Sequence, residues 1–187
     1  LRLSSDMTVR FWAFFILIEL GFIRQDELLD ILNSRENDEI RKIALEALGK
    51  NPDKRVILAF LDKISDPSWI VRKQAKRSLI EQGDSIYQII QEYFQSCSSQ
   101  QKYECIKIIP LILREKAFML FQRMLESDRT GAYKPYICAG LGEIKNENSM
   151  KTLLGLLDDD SMVVRQEAIK SLTNWGREVV APVMAIF

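Results

Sequence analysis

Few side chains in this chain can do acid–base or metal chemistry near neutral pH, because the sequence contains no histidine. Histidine is the usual general base near pH 7 and the commonest metal ligand. The three cysteines, Cys97, Cys105 and Cys138, are odd in number and lack the spacing of a zinc site. We interpret them as reduced thiols that fill the core of a cytoplasmic protein. The sequence therefore predicts no catalytic residue, no metal site and no bound cofactor.

Two short motifs look like ligand sites but have simpler explanations. Three aspartates, residues 158–160, precede a predicted helix, where the helix dipole favours negative charge. Gly140 and Gly142 do not begin a phosphate-binding loop, since Lys145 stands where a third glycine is needed and no strand precedes them. Neither motif predicts a binding site.

A long polar or cationic side chain recurs every 31 residues. The residues at these steps are Arg10, Arg41, Arg72, Tyr103, Lys134 and Arg165. A guanidinium is planar and carries five donors, which suits bonds to carboxylates and carbonyls. We predict that the four arginines form a structural ladder with acidic side chains or helix-end carbonyls of adjacent repeats. The alternative is an exposed stripe that binds a partner.

The residues around this position repeat with the same period. Four residues before it stand side chains that can accept a bond from the free amides of a helix's first turn: Asp6, Asn37, Ser68, Ser99, Thr130 and Ser161. Apolar residues follow it at three and seven positions, and a glycine ends several copies. Asp66 with Pro67 is a rival cap and first-turn pair for Ser68. A second apolar-periodic stretch follows each copy, so each unit is predicted to be a helical hairpin.

Six such hairpins account for the whole chain. We predict an all-α fold, a right-handed α-α superhelix (solenoid), with residues 1–187 as one array and repeats near 6–36, 37–67, 68–98, 99–129, 130–160 and 161–187. The first predicted helix is apolar nearly all round, which indicates that something packs before it. We therefore expect the chain to be part of a longer protein.

Composition narrows the possible partners. Of 187 residues, 47% are hydrophobic, and 26 Lys plus Arg balance 26 Asp plus Glu. This balance leaves no basic footprint for nucleic acid. The most apolar run, residues 11–18, is too short to cross a bilayer. The composition predicts a protein or peptide partner and neither nucleic-acid binding nor membrane insertion.

The motif at Val164-Arg165, Ala168, Leu172 and Gly176 resembles the HEAT repeat, in particular the short type first associated with phycobilin lyases. The same motif stands at Val71-Arg72, Ala75, Leu79 and Gly83. The resemblance implies a scaffold whose second helices line a concave partner-binding side. It also raises three enzyme alternatives. A di-iron deoxyhypusine hydroxylase is excluded because it needs His-Glu pairs, and a HEAT-like DNA glycosylase is disfavoured by the neutral charge. A phycobilin lyase-like chromophore-handling protein stays open.

The leading hypothesis is a non-catalytic protein–protein interaction scaffold or adaptor. Polar residues interrupt the apolar stripes of four successive second helices, and these are the predicted partner contacts: Asp30, Asp62, Glu92, Gln95 and Arg123. Three of the five are acidic, which favours a partner with a basic segment and an affinity that falls with salt.

Overall fold

The computed structural model describes residues 7–113 and 116–185. These residues form twelve α-helices joined by turns and short 3-10 segments, with no strand among them. The predicted all-α class is confirmed. Asp6, the predicted cap of the first repeat, lies outside the described residues.

The helices alternate along the chain, and we refer to the odd-numbered ones as first helices and the even-numbered ones as second helices. The first six are α1 (Met7–Glu19), α2 (Gln25–Asn33), α3 (Asp38–Leu48), α4 (Lys54–Lys63), α5 (Trp69–Gln82) and α6 (Tyr87–Ser96). The remaining six are α7 (Ser99–Leu113), α8 (Lys116–Ser127), α9 (Lys134–Ile144), α10 (Glu147–Gly155), α11 (Met162–Thr173) and α12 (Val180–Met184).

Helix α3 shows how the local sequence produces a first helix. The side chain of Asn37 accepts a hydrogen bond of 2.8 Å from the amide of Glu39, which satisfies one free donor of the first turn. Ile40, Ala44 and Leu48 then recur every four residues and are buried. One stripe of the helix is therefore committed to the core, as its apolar period predicts.

Glycine ends three of the first helices at the same place in the repeat. Gly21, Gly83 and Gly176 have φ angles of 72°, 58° and 69°. This is the left-handed region, which costs glycine little and strains other residues. A glycine here reverses the chain direction so that a second helix can follow.

The chain divides into two compact units, Leu1–Cys97 and Ser98–Phe187. Each unit has its own buried core. The largest fully buried side chains of the first unit are Leu32, Leu45, Ile57, Phe60, Leu61, Ile64, Leu79 and Ile90. Those of the second unit are Ile106, Ile108, Phe121 and Ile137. Both sets come from first and second helices together, so each core forms between helices of the two kinds.

Helix α9 begins later than the sequence suggested. Thr130 does not cap it, because Gly131 takes a left-handed φ of 70° and the carboxylate of Asp128 accepts the amide of Tyr133 at 2.6 Å. This turn delays the helix until Lys134, with Pro135 in its first turn.

None of the helices in residues 7–113 and 116–185 has both the length and the apolar character needed to span a bilayer.

Candidate partner-binding surface

The second helices of the first unit share one register. In each, the fourth and eighth residues are buried: Leu28 and Leu32 in α2, Ile57 and Leu61 in α4, Ile90 and Phe94 in α6. The second, sixth and ninth residues lie on the opposite side, which we call the second-helix surface: Asp26, Asp30 and Asn33; Arg55, Ala59 and Asp62; Gln88, Glu92 and Gln95. All but the half-buried Ala59 are exposed.

Four of the five predicted contact residues belong to this surface. Asp30 and Glu92 are both the sixth residue of their helix, and Asp62 and Gln95 are both the ninth. Arg123 is exposed as well, but it lies on α8 in the other compact unit. The structure therefore groups four of the predicted residues by position, while their role in binding stays a prediction.

Polar bonds join neighbouring second helices at this surface. Arg55 Nη1 lies 3.1 Å from Asp26 Oδ1, between α4 and α2. On the other side of α4, Lys54 Nζ lies 2.6 Å from Glu92 Oε2. The hydroxyl of Tyr93 donates a 2.7 Å bond to Asp62 Oδ1. Asp62 and Glu92 thus help to hold the helices together, which their sequence positions did not reveal.

Asp30 differs from the other carboxylates of the surface. It makes no hydrogen bond or ion pair with any residue that the structure describes. Its charge is balanced by no neighbouring side chain, and its substitution would break no bond among the described residues. A substitution at Asp30 therefore tests how much charge contributes to binding without removing a bond among the described residues.

The exposed charges of these helices and their N-cap residues are mainly negative. Six are acidic: Asp26, Glu27, Asp30, Asp53, Asp62 and Glu92. Three are basic: Arg24, Lys54 and Arg55. The backbone amide of Val56, followed by the side chains of Gln25 and Arg55, lowers the pKa of Asp53, so that carboxylate is ionised at neutral pH. The surface is acidic although the chain as a whole carries no net charge.

The arginines at the 31-residue step make bonds to chain segments between helices. Arg41 Nη1 lies 2.7 Å from Asp66 Oδ2, in the loop before α5. The other oxygen of Asp66 accepts the amide of Ser68 at 2.9 Å. Arg72 Nη1 then donates to the carbonyls of Asp66 and Pro67 at 2.6 and 2.8 Å. We call this set of bonds around a loop aspartate a loop clasp.

The same clasp recurs in the second unit. Lys134 Nζ lies 2.5 Å from Asp159 Oδ2, and Asp159 Oδ1 accepts the amide of Ser161 at 3.0 Å. Arg165 Nη1 donates to the carbonyls of Asp159 and Asp160 at 2.6 and 3.0 Å. Lys134, followed by the Ser161 amide, lowers the pKa of Asp159. The clasp therefore needs a cation one repeat earlier, an aspartate in the loop and an arginine one turn into the helix.

The fourth arginine makes a simpler contact. Arg10 Nη2 lies 2.8 Å from Glu36 Oε1, across α1 and the loop before α3. Sequence reasoning placed the arginines in a ladder but did not identify the loop aspartates as its centres. The available signal was an aspartate two residues before each of two predicted caps, at Asp66 and Asp159.

Tyr103 replaces the arginine at the start of the second unit. Its ring contacts Tyr136 edge to face at 5.1 Å, and Lys170 Nζ lies 5.8 Å from the ring centre. Burial, followed by a hydrogen bond with Glu167, raises the pKa of Tyr103 well above its usual range. A cavity of about 130 Å³ opens beside these side chains, and Lys107 and Lys145 line its rim. Tyr103 on α7 thus contacts Tyr136 on α9 and Lys170 on α11, and it joins these helices with a ring in place of a guanidinium.

The three cysteines are all at least partly buried. Cys105 and Cys138 are buried and Cys97 is half-buried. Burial raises the pKa of Cys138 to about 12. Within the part of the chain that the structure describes, no three Cys, Asp or Glu side chains are grouped as metal ligands.

Comparison with known proteins identifies the repeat. The family model of HEAT repeats matches residues 26–101, which covers α2 to α6 and the start of α7. This segment is similar to HEAT repeats. Its first helices carry Arg41 and Arg72, and its second helices form the acidic surface described above.

Solved structures with a similar chain course share little sequence with this protein. One is the complex of CpcE and CpcF of phycocyanin lyase from Nostoc sp. PCC7120, with 18% identity, a TM-score of 0.40, and coverage of 90% of this chain and 72% of that one. Another is an engineered protein, with 18% identity, a TM-score of 0.34, and coverage of 91% and 92%. No curated protein matches the sequence.

Proposed function

We propose that this HEAT-repeat chain is a non-catalytic scaffold that binds a basic segment of a partner protein on its second-helix surface. The observation that carries the proposal is the acidic register of α2, α4 and α6, in which Asp30 and Glu92 occupy the same helical position. Asp62 of α4 adds a third carboxylate to this surface, so acidic side chains are contributed by all three helices. Charges spread over three helices favour an extended ligand over a compact one.

The spacing of the helices sets the length of that ligand. Packed helices lie about 10 Å apart, so three of them span about 20 Å. An extended chain covers this distance with about six residues at roughly 3.3 Å each. Every second side chain of such a segment points the same way, so alternating lysines would meet the surface.

The attraction should be electrostatic and weak at each contact. Two unit charges 4 Å apart gain about 1 kcal/mol in water. Salt screens exposed charges beyond about 10 Å at 0.1 M ionic strength. Affinity for a basic segment is therefore expected to fall as salt rises, whereas binding dominated by apolar contacts would not fall.

A fluorescein-labelled peptide of alternating lysine and serine provides the probe, and fluorescence anisotropy the readout. The test variant combines Asp30→Lys with Glu92→Lys. We expect this pair to weaken binding about tenfold or more, since a tenfold loss needs only about 1.4 kcal/mol. Far-UV circular dichroism should remain unchanged, because both side chains are exposed and the only bond lost is the exposed ion pair of Glu92 with Lys54, which contributes at most about 1 kcal/mol.

The control carries the same change of net charge on first helices. It combines Glu46→Lys on α3 with Glu81→Lys on α5, two exposed positions that pair only within their own helix. Equal weakening by the control would mean diffuse attraction to the whole chain and would refute the proposal. Loss of binding on substitution of Lys73 or Lys76 would place the site on the first helices instead. A shift in the visible absorbance band of a free bilin when the protein is added would favour the chromophore-handling alternative.

A further inference from the structure

The cavity beside Tyr103 lies across three first helices of the second unit. Its volume is about 130 Å³, far more than the roughly 10–15 Å³ that one water molecule needs. Ala139 and Gly142 of α9 line it, and α9 packs against both α7 and α11. The other lining side chains come from α7, α11 and the end of α9, and all of them are polar. The cavity is therefore a polar space within one unit.

The small residue at position 139 explains why the cavity forms at α9. Steps of 31 residues from Ala139 lead in every other first helix to a longer side chain: Phe15, Glu46, Arg77, Ile108 and Lys170. Gly142, one turn after Ala139, adds no side chain at all. The sequence of α9 thus leaves a space between its neighbours that a longer side chain at position 139 would occupy.

Lys145 stands at the end of α9 in a backbone conformation that usually belongs to glycine. Its φ is 49°, and among the residues that the structure describes it is the one residue other than glycine with a positive φ. Gly21, Gly83 and Gly176 occupy the same repeat position and are also left-handed. A β-carbon is strained in this region. The repeat therefore loses some stability that glycine would retain, and in return it places a lysine ammonium at the cavity.

Three donors at the cavity have bonding capacity left. Lys145 Nζ carries three donors but makes only one long bond, of 3.4 Å, to the backbone carbonyl of Asn174. Lys107 makes no hydrogen bond or ion pair with any described residue. Ser171 is only 4% exposed, yet its hydroxyl has no hydrogen-bond partner in the described part of the chain. Because a polar group this buried normally has a partner, the hydroxyl is a donor for a ligand in the cavity.

The charges that line the cavity favour a ligand with one negative charge. Lys107, Lys145 and Lys170 oppose Glu143 and Glu167, which leaves three minus two, or one, net positive charge. Lys170 Nζ lies 3.5 Å from Glu167, so these two charges already balance each other. A carboxylate carries a single charge and two acceptor oxygens, and it matches the remaining charge better than a phosphate dianion.

We propose that this cavity binds a carboxylate group, held by the ammonium groups of Lys107 and Lys145 and by the hydroxyl of Ser171. The carboxylate belongs either to a small free acid or to an acidic side chain of a protein, since both present the same two oxygens. The site is formed by first helices of the second unit. It is therefore distinct from the second-helix surface of the first unit, and it goes beyond the proposed scaffold function.

NMR titration of the isotopically labelled 187-residue chain with sodium acetate tests the site. We expect saturable chemical-shift changes at the amides of Gly142, Lys145 and Ser171, and no such changes with sodium chloride at the same ionic strength. Acetate that shifts none of these amides would overturn the proposal. Inorganic phosphate that binds more tightly than acetate would overturn the assignment of a carboxylate.

A second titration distinguishes the two sources of the carboxylate. The probe is the peptide Gly-Glu-Gly, acetylated at its N-terminus and amidated at its C-terminus, so that its one charge is the glutamate side chain. Tighter binding of this peptide than of acetate would support an acidic side chain of a protein. Binding of acetate without binding of the peptide would support a small free acid.

Lys145→Gly separates a binding role from a structural one. We expect the dissociation constant of acetate to rise about tenfold, as removal of one charged contact typically causes. The melting temperature should not fall, because glycine is unstrained at a φ of 49°. Lys151→Ala is the control: it also removes one positive charge, from an exposed lysine that pairs within α10 with Glu147. This control should bind acetate like the unmodified chain.

Ser171→Ala provides a second variant at the same site. It should weaken acetate binding without lowering the melting temperature, since the hydroxyl makes no bond with the described residues that could be lost. Acetate binding that is unchanged in both Lys145→Gly and Ser171→Ala would overturn the proposal. Equal weakening by Lys151→Ala would do the same, because it would show a general effect of charge.

Discussion

The repeat position that holds arginine throughout the first unit begins with a tyrosine in the second unit, where the clasp returns only at Lys134 and Arg165. In the first unit the position holds Arg10, Arg41 and Arg72, and each guanidinium reaches a carboxylate or carbonyl in a loop. In the second unit it begins with Tyr103, which is held by Tyr136 and Glu167. The comparison indicates that this repeat position must connect neighbouring helices. An ion pair or a packed phenol ring can make that connection.

Close packing replaces part of the electrostatic ladder in the second unit. A Cβ atom at Gly140 would lie 2.6 Å from the ring of Phe121, and one at Gly142 would lie 2.9 Å from the Cβ of Ser171. Helix α9 therefore approaches its neighbours at distances that only glycine permits. The first unit offers no such contact, since Gly49 leaves ordinary distances of 3.4 Å or more to its surroundings.

The largest effect is expected from Gly140→Ala. The ring of Phe121 is fully buried, and the added methyl group would lie 2.6 Å from it, so we expect a loss of about 3 kcal/mol from overpacking. Thermal unfolding should shift down by about 6–12 °C at roughly 2–4 °C per kcal/mol. Gly155→Ala is the control, because nothing lies within 4 Å of its added methyl group. Equal melting temperatures for the two variants would show that packing around α9 is not close.

A somewhat smaller effect is expected from Arg41→Ala in the first unit. The substitution leaves the carboxylate of Asp66, a residue only 6% exposed, without its nearest cation. Loss of a hydrogen bond to a charged group costs about 2 kcal/mol. Arg77→Ala, which removes an exposed pair with Glu81, should cost less than about 0.5 kcal/mol. Urea denaturation of both variants measures the difference.

A double-mutant cycle sharpens this prediction. Asp66→Asn in the Arg41→Ala background should cost less than it does alone, because the two residues share one bond. Strictly additive losses of stability would show that Arg41 and Asp66 are not energetically coupled. Arg72→Ala, which loses two carbonyl contacts, should also lower the melting temperature while leaving peptide binding unchanged.

The smallest effect is expected from Tyr103→Phe. Near neutral pH the lost bond to Glu167 should cost about 1 kcal/mol. The folded state holds the phenol proton to a higher pH than the unfolded chain, whose tyrosines titrate near about pH 10. Stability from this group is thus complete below about pH 10 and is lost as pH rises further. Stability should therefore fall less with rising pH in Tyr103→Phe than in the unmodified chain, as measured by urea midpoints at a series of alkaline pH values. If both proteins show the same pH dependence, another group causes it.

The sequence predicted features that depend on local periodicity. The all-α class and the starts of α3, α5 and α11 directly after Asn37, Ser68 and Ser161 follow from caps and apolar stripes. Ser68 and Ser161 make no capping bond through their side chains, however; the carboxylates of Asp66 and Asp159 instead accept the backbone amides of these two serines. The residue at which each of these helices begins could be predicted from the sequence, but the hydrogen bonds made there could not.

Contacts between repeats could not be read from the sequence. Asp62 and Tyr93 are 31 residues apart, and their bond depends on how α4 and α6 pack. The late start of α9 depends on Gly131 and Asp128, two turn residues whose effect outweighs the cap signal at Thr130. The positions of the helices along the chain follow from the local sequence. The partners of their side chains depend on how the helices pack against one another.

One buried bond of the second unit limits how the repeats can be cut. The indole N–H of Trp175, after α11, donates a 2.9 Å bond to the carbonyl of Gly142 on α9, and Trp175 is only 5% exposed. Repeat arrays are often trimmed by whole units, since each unit contacts only its neighbours. A truncation that ends before α11 would expose the Gly142 carbonyl and the packed backbone around it to water. Shortened forms of this chain should therefore end after Trp175, or replace the lost indole with a new terminal helix.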